Sequence, residues 1–473
     1  LSFLEAAAKN NHEFHSFMLV RHGYVVAEGW WQPYQADVGQ LLYSLSKSFT
    51  STAIGFAVTE GRLSVGDKVV SFFPKELPAK VSENLASMRV KDLLTMSVGH
   101  DHDTTWDLLG ETDWMKKFLA VPTVHQPGSK FLYDSAATYM LSAILQKLTG
   151  KTVLEYLKPR LFKPLGIEGG EWETDPKGIN LGGWGLRLKT EDLAKFGQLY
   201  LQKGNWRGKQ ILPESWVAEA TSFKIDNHNP DWAPNKERSD WSQGYCYQFW
   251  RCRHNAYRGD GAFGQYCLVM PEQDAVVIIT SETKDLQGEL DLVYEHLLPA
   301  MKTQPLPADT SAQAALKNYF QHAEIQPLAR LLLSPVAEKI SDKSFQVAAN
   351  SLNVQSVSFT FQPGECLFNL KDDKGDHRIV CGFGKWVTGK TDMPGTPPQL
   401  FPLAHNRPSA VAGSAAWLDD QTLQMRWQYF DTPNHDLVTC RFDDKGVQVE
   451  FMNSITAMIP DLKERRPLLK SLN

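Results

Sequence analysis

The chain has 473 residues, 42% hydrophobic and 22% charged, which is ordinary for a globular protein and enough for more than one buried core. A formal net charge of -5, with both signs mixed and no basic tract, excludes the electrostatic footprint of nucleic acid or of an anionic membrane surface. No apolar run approaches the roughly 20 residues of a membrane helix, and the six cysteines (Cys246, Cys252, Cys267, Cys366, Cys381, Cys440) contain no Cys-x-x-Cys pair, so they read as free thiols. The chain opens on Leu1 rather than methionine, so a removed signal peptide is one expectation, and cytoplasmic and periplasmic or secreted locations both stay open.

In chain order, residues 1–15 predict a short helix. A hairpin follows, with strands Phe17-Met18-Leu19-Val20 and Tyr24-Val25-Val26-Ala27-Glu28-Gly29 turning at His22-Gly23. Next comes Tyr43-Ser44-Leu45-Ser46-Lys47-Ser48-Phe49, where a serine three residues before a lysine shares a helix face with it. Such a pair sets a nucleophile beside a base, because burial or nearby positive charge lowers a lysine's pKa and lets it accept the serine proton. The apolar stripe Phe49, Ala53, Ile54, Phe56 and Ala57 predicts a helix ending at Gly61. Ser44 then stands at its N-terminus, among backbone N–H groups free to bind an oxyanion. Ser281-Glu282-Thr283-Lys284 repeats the spacing, but it follows Ala275-Val276-Val277-Ile278-Ile279-Thr280 and reads as the polar end of a buried strand.

Residues 61–67 are turn chemistry and residues 90–96 a further helix. His100-Asp101-His102-Asp103 alternates metal-ligand types, yet it lacks helical His-x-x-x-His spacing and a distant cysteine pair, so it reads as a polar loop and no metal is expected. Gln126-Pro127-Gly128 turns the chain into an extended stretch ending at Tyr133, ahead of a helix from about Ala136. A tyrosine there suits a half-buried edge unless it meets a reactive partner. Gly182-Gly183-Trp184-Gly185-Leu186 leads into a helix over residues 190–197 with Thr190 expected as its N-cap. Aromatic-rich strands are expected at 244–250 and 263–271, then a helix around 290–298. Pro305, Pro307 and Asp309 mark a linker, which divides the chain into domains 1–305 and 306–473.

Beyond the linker a helical stretch is expected over about 312–333. Alternating runs such as Val357-Ser358-Phe359-Thr360-Phe361 and turn signals such as Asp372-Asp373-Lys374-Gly375 then predict an all-β barrel or sandwich from about residue 337. Gly384-Lys385-Trp386-Val387-Thr388-Gly389-Lys390-Thr391 fits the phosphate-loop pattern letter for letter. That loop needs a helix after its lysine, and the proline-rich 392–398 forbids one, so no nucleotide is expected at Lys390.

Ser44 with Lys47, then Tyr133-Asp134-Ser135, then Gly259-Asp260-Gly261, resemble in order the three motifs of the serine β-lactamase and penicillin-binding-protein superfamily, particularly its class C-like esterase, D-aminopeptidase and lactamase branch. The connecting Gln126-Pro127-Gly128 and residues 182–186 and 197–212 look like that family too, and the resemblance spans about residues 10–302. It implies an α+β fold: an antiparallel sheet flanked by helices, with a helical subdomain carrying Tyr133, ahead of the smaller all-β domain. It also implies a serine hydrolase working through an acyl-enzyme on Ser44. Lys47 and Tyr133 would share the proton work, their order left open, and Ser135 would bind substrate or orient Lys47. The oxyanion would rest on the N–H of Ser44 and on one after Gly261, from Ala262 or Phe263. No cofactor is implied. The partner is a small ester, amide or peptide, with β-lactam or D-Ala-D-Ala hydrolysis as the alternative and a catalytically silent binding protein as the competing class; the oligomeric state stays open. Two motifs depart from the lactamase form, since Ser135 replaces the usual asparagine and no Lys-Thr-Gly precedes Phe263. If Asp260 holds the place of the substrate-binding cation, its carboxylate repels a substrate carboxylate, which favours neutral esters and amine-bearing amides over penicillins, unless a turn of the strand brings the Arg258 guanidinium into the same space and restores anion binding.

Overall fold

The run Ala275-Val276-Val277-Ile278-Ile279-Thr280 has no polar alternation and therefore suits a strand covered on both faces. In the computed structural model it forms strand Ala275–Glu282, central in a six-stranded antiparallel sheet ordered Tyr24–Trp30, Glu13–Arg21, Ala275–Glu282, Gln265–Met270, Tyr257–Gly261, Trp250–Arg251. The structure describes all residues except Trp232, Pro305, Leu306, Pro402, Ala404, His405, Asn406 and Asn473, so the linker proline Pro305 lies outside the described residues. The chain forms two units, Leu1–Trp30 with Gly39–Gln321, and Trp31–Val38 with His322–Asn473.

Pairing register shows how the first unit covers its sheet. Val20 lies opposite Val276, and a Cβ on Gly197 would touch Val276, so this face meets helix Thr190–Leu201. Phe17 points the other way and packs on Phe3 of helix Ser2–Lys9. The mixed α/β architecture with helices on both faces of an antiparallel sheet is as expected. A helical subdomain spans Glu83–Ser87 to Val153–Leu157 and carries Tyr133 just before its longest helix, Ser135–Thr149. Among the described residues no helix is long and apolar enough to cross a membrane.

Four local expectations need correction. Residues 244–250 are not one strand, because Gly244 (φ +112°) and Gln248 (φ +63°) break the extended conformation, leaving Tyr245 in isolated bridges to Ile225 and Trp250 and a strand only at Trp250–Arg251. Thr190 is not the N-cap of its helix: Lys189 holds that position, its N–H bonded to Asp192, while the Thr190 hydroxyl donates to Ser16. The 312–333 helix stops at Gln321, where the backbone leaves to bridge elsewhere, Glu324 to Gln32 and Leu331 to Trp417, and Pro327, lacking an N–H, keeps the helix from resuming. The initial helix covers only Ser2–Lys9, with strand Glu13–Arg21 starting inside the expected 1–15.

The second unit is β-rich. Its ten-stranded sheet runs as an antiparallel meander except where Asp376–Phe383 pairs parallel with Ser409–Asp419. It closes on itself through Ala348 N–H to Lys470 O (2.9 Å) and Leu472 N–H to Gln346 O (2.7 Å), making a barrel without an open edge at that seam. Phe359, Phe368, Trp417 and Trp427 fill its core. The phosphate-loop look-alike is strand Val387–Thr391, with Lys390 exposed opposite Ala410, so no helix N-terminus follows that lysine. All six cysteines are free and buried.

Candidate active site

Ser44 sits in the tight turn Tyr43–Leu45 that runs into helix Ser46–Thr59. That turn is strained and strapped. Tyr43 has φ +46°, unusual for a residue with a Cβ. The Ser46 hydroxyl donates to Tyr43 O (2.6 Å) and accepts from Leu186 N–H (3.1 Å), while Leu42 N–H bonds Leu186 O (2.9 Å). The Gly182–Leu186 segment thus anchors the serine from behind.

Lys47, one helical turn on, is 2% exposed, and its Nζ reaches Ser44 Oγ (2.9 Å), Ser135 Oγ (2.9 Å) and Gly183 O (2.7 Å). Burial lowers its pKa to about 7, against the opposing pull of the Asp103, Asp260 and Asp134 carboxylates. A neutral amine here has two N–H bonds for Gly183 O and Ser135 and one lone pair left for the Ser44 proton. Nζ also lies 4.8 Å from the centre of the Tyr133 ring. Tyr133 is half-buried, stacked on Trp250 at 5.4 Å and edge-on to Tyr245. Burial, then the Asp260 charge, pushes its phenol well above its usual value although a hydrogen bond to Ser44 opposes this, so the ring stays protonated.

The third motif approaches closely only because it is glycine. A Cβ on Gly261 would lie 2.1 Å from Leu42 O and one on Gly259 2.6 Å from Ser48 Oγ, so strand Tyr257–Gly261 packs directly on the serine turn. Ala262 begins the turn after Gly261 rather than a strand, and Phe263 in that turn has φ +67°, its ring 5.2 Å from Tyr43.

Asp260 is not the free carboxylate that the sequence suggested. Arg258 Nε donates to its Oδ2 (3.0 Å), with Nη2 2.9 Å from the same oxygen in an ion pair, and Arg258 itself is fully buried, with Nη1 on Asp240 O (2.8 Å) and its guanidinium 4.2 Å from the centre of the Trp241 ring. The pair is close to neutral, so the repulsion expected of Asp260 on a substrate carboxylate largely cancels. The same contacts occupy Arg258 and leave it unavailable to hold such a carboxylate.

Sequence reasoning placed Ser44, Lys47, Tyr133 and Ser135, and the fold brings these four side chains together. It missed Gly183, whose carbonyl holds Lys47; the signal was the Gly182-Gly183 pair, needed because a Cβ on Gly183 would sit 2.8 Å from Ser135 O. It also weighed Asp103 only as a metal ligand. Burial, then the neighbouring Asp134, raises the Asp103 carboxyl to about 6, and its Oδ1 accepts from the Thr105 hydroxyl and N–H. The rest of that loop turns away, His100 to Asp134 (3.2 Å) and His102 between Asp101 and Asp107.

Helices on both faces of an antiparallel sheet, with a helical subdomain beside it and Ser44, Lys47 and Tyr133 gathered next to the glycine-rich strand Tyr257–Gly261, make up the architecture of the β-lactamase fold. The chain belongs to the beta-lactamase family, whose model matches residues 13–298. The 6-aminohexanoate-dimer hydrolase of Paenarthrobacter ureafaciens is 25% identical over 290 residues, 57% of this chain and 73% of that protein. The N-acetylmuramyl-L-alanine amidase of Bacillus subtilis is 29% identical over 130 residues, 25% of this chain and 30% of that protein. Among solved structures, the octameric penicillin-binding protein homologue from Pyrococcus abyssi shares the fold, with a TM-score of 0.51, 15% identity and coverage of 99% of this chain and 98% of that one.

Proposed function

We propose that this protein hydrolyses small neutral esters and amides through an acyl-enzyme on Ser44. The observation that carries the reading is Lys47: fully enclosed, brought by burial to a pKa of about 7, and 2.9 Å from the serine oxygen. In the neutral form Lys47 takes the Ser44 proton as Oγ attacks the carbonyl carbon. The oxyanion rests on the N–H groups of Ser44 and of the turn after Gly261, from Ala262 or Phe263: Gly261 O is turned inward to Gly264 N–H (3.3 Å) and Ala262 O to Gln265 Nε2 (3.1 Å), so across each trans peptide the following N–H points outward. Tyr133, held protonated, passes its proton to the leaving group and regains one from the Lys47 ammonium. Water then cleaves the acyl-enzyme with Lys47 again as base. Ser135 orients Lys47 through their 2.9 Å hydrogen bond.

Because Arg258 is spent on Asp260 and Asp240, the third motif offers no free cation for a substrate carboxylate, and penicillins and D-Ala-D-Ala peptides are poor substrates in this reading. The test is labelling with a fluorophosphonate read by intact mass, followed by kcat/KM on a short-chain nitrophenyl ester, an amino-acid amide and a chromogenic cephalosporin. One adduct on Ser44 and the order ester, amide, cephalosporin are expected. A folded sample that takes no adduct favours a binding protein instead, and a cephalosporin hydrolysed best refutes the substrate assignment.

A further inference from the structure

Between Ser44 and Lys47 stands another serine, to which the mechanism above gives no role. Ser46 is fully buried and its hydroxyl is engaged at both ends, donating to Tyr43 O (2.6 Å) and accepting from Leu186 N–H (3.1 Å). It is therefore no second nucleophile. The acceptor is the informative end, because Tyr43 O and the N–H of Ser44 belong to one peptide unit. That peptide is trans, so its C=O and N–H point in opposite directions. Drawing Tyr43 O toward Ser46 and Leu186 turns the Ser44 N–H away from both. That N–H also has no helical partner: Ser44 is the second residue of its turn, and Leu45 makes the first intrahelical bond, to Leu42 O (3.1 Å).

This orientation has to be held. Tyr43 sits at φ +46°, and a residue with a Cβ stays in the left-handed region only where its surroundings over-determine it. Its carbonyl takes the Ser46 N–H as well as the hydroxyl, and its buried ring packs edge-on to Phe263. The hydroxyl adds a link that the N–H lacks, because Leu186 ends the segment whose Gly183 O holds Lys47 Nζ (2.7 Å). At the other end of that segment Gly182 O accepts from the Thr50 hydroxyl (2.8 Å). Ser46 and Thr50, four residues apart on one helix face, thus bind the segment at its two ends.

We propose that Ser46 is a positioning residue for acyl transfer: its hydroxyl fixes the Tyr43-Ser44 peptide and so holds the Ser44 N–H where the oxyanion forms. This rests on the oxyanion role proposed above for that N–H. Without the hydroxyl the peptide keeps its helical bond from Ser46 N–H but loses its second donor and its tie to Leu186, and a strained turn gains freedom to rock. The Ser44 N–H then meets the developing oxyanion less squarely. A ground-state carbonyl carries little charge and loses little by this, so the loss falls on kcat rather than on KM.

The test compares wild type with Ser46→Ala, Ser46→Thr and Thr50→Val on a nitrophenyl ester, with phenylboronic acid as a tetrahedral analogue and active sites counted by fluorophosphonate labelling. Per labelled site, Ser46→Ala should lower kcat about tenfold, less than the roughly 10²–10³-fold of a deleted donor, and weaken phenylboronic acid by a similar factor. KM and the acid limb of the pH profile should stay as in wild type. Ser46→Thr, which keeps the hydroxyl, should recover most of the loss, and Thr50→Val, which frees the same segment but leaves Tyr43 O held, should leave the boronate affinity near wild type. Should Ser46→Ala not fold, Ser46→Cys gives the same comparison with a weak donor. A folded Ser46→Ala or Ser46→Cys enzyme with wild-type kcat and boronate affinity, or one changed only in KM, overturns the proposal. So does a shifted acid limb at unchanged boronate affinity, which would place the effect on Lys47 through Gly183, or an equal boronate loss in Thr50→Val. Failure of the fluorophosphonate to label wild-type Ser44 overturns the reading of the site and this inference with it, whereas a labelled wild type with an indifferent Ser46 variant overturns the inference alone.

Discussion

Lys47 concentrates the chemistry of the site in one buried amine. Its pKa of about 7 predicts that kcat/KM rises as pH climbs through about 7 and the amine loses its proton. A profile flat from pH 5 to 9 would exclude Lys47 as the base. The same shift acts on stability with a definite sign. The unfolded lysine titrates near 10.5, so below about pH 7 the folded chain bears the full cost of a buried ammonium, and that cost fades as pH rises toward 10.5. Lys47→Met should therefore gain most in Tm over wild type at pH 6 and less at pH 9, which thermal melts at the two pH values measure. Ser44→Ala should lower kcat at least about 10⁴-fold, and Lys47→Ala and Tyr133→Phe by orders of magnitude each. Residues that act as one unit do not add, so the Lys47→Ala/Tyr133→Phe double variant should fall little below the worse single one. Additive losses in that double-variant cycle would break the shared-proton model.

At the scale of elements, the site depends on how closely a strand approaches a turn. Gly261 lets strand Tyr257–Gly261 lie against Leu42, and Gly261→Ala would set a methyl group 2.1 Å from a backbone oxygen that cannot rotate away. The variant should lose about 1–3 kcal/mol of stability, with kcat falling more than KM changes as the oxyanion donors separate. Urea melts and steady-state kinetics on the same samples check this, and a silent Gly261→Ala would mean that the strand does not set the donor spacing. Gly208→Ala is the control for a glycine with open space around it, although its φ of +81° carries its own strain. The phosphate-loop look-alike makes the complementary point, because a matching pattern whose lysine lies in strand Val387–Thr391 presents no helix terminus to a phosphate.

For the whole chain, the second unit includes Trp31–Val38 from far earlier in sequence. Tyr34 is buried there, donating to Thr432 O (2.9 Å), accepting from Gln428 Nε2 (2.8 Å) and packing with Ile325, Ala412 and Phe430. A fragment cut near Pro307 would leave Tyr34 behind. We therefore expect the barrel, as residues 308–473, to melt below its own transition in the full chain, and Tyr34→Ala in the full chain to destabilise that transition by about 3–5 kcal/mol. Calorimetry of the three samples decides, and equal transitions would show that the barrel core alone suffices.

The sequence by itself determined what is written locally. A hydroxyl and an amine three residues apart, a tyrosine before a helix, the alternating runs of the barrel and the unbroken apolar strand at 275–280 each need only near neighbours to be read, because helix and strand periodicity place neighbouring side chains on one face. Short stretches with competing preferences were read less well: residues 244–250 have strand composition, but two left-handed residues break them. Tertiary structure alone decided that Asp260 is neutralised by Arg258 two residues away, that Gly183 supplies the third partner of Lys47, that Ser281 faces a turn rather than a substrate, and that Tyr34 belongs with the barrel. Each of these depends on which side of a strand faces inward and on what a distant segment leaves unpaired. Strand register and burial set both, and they act between residues that the chain keeps far apart.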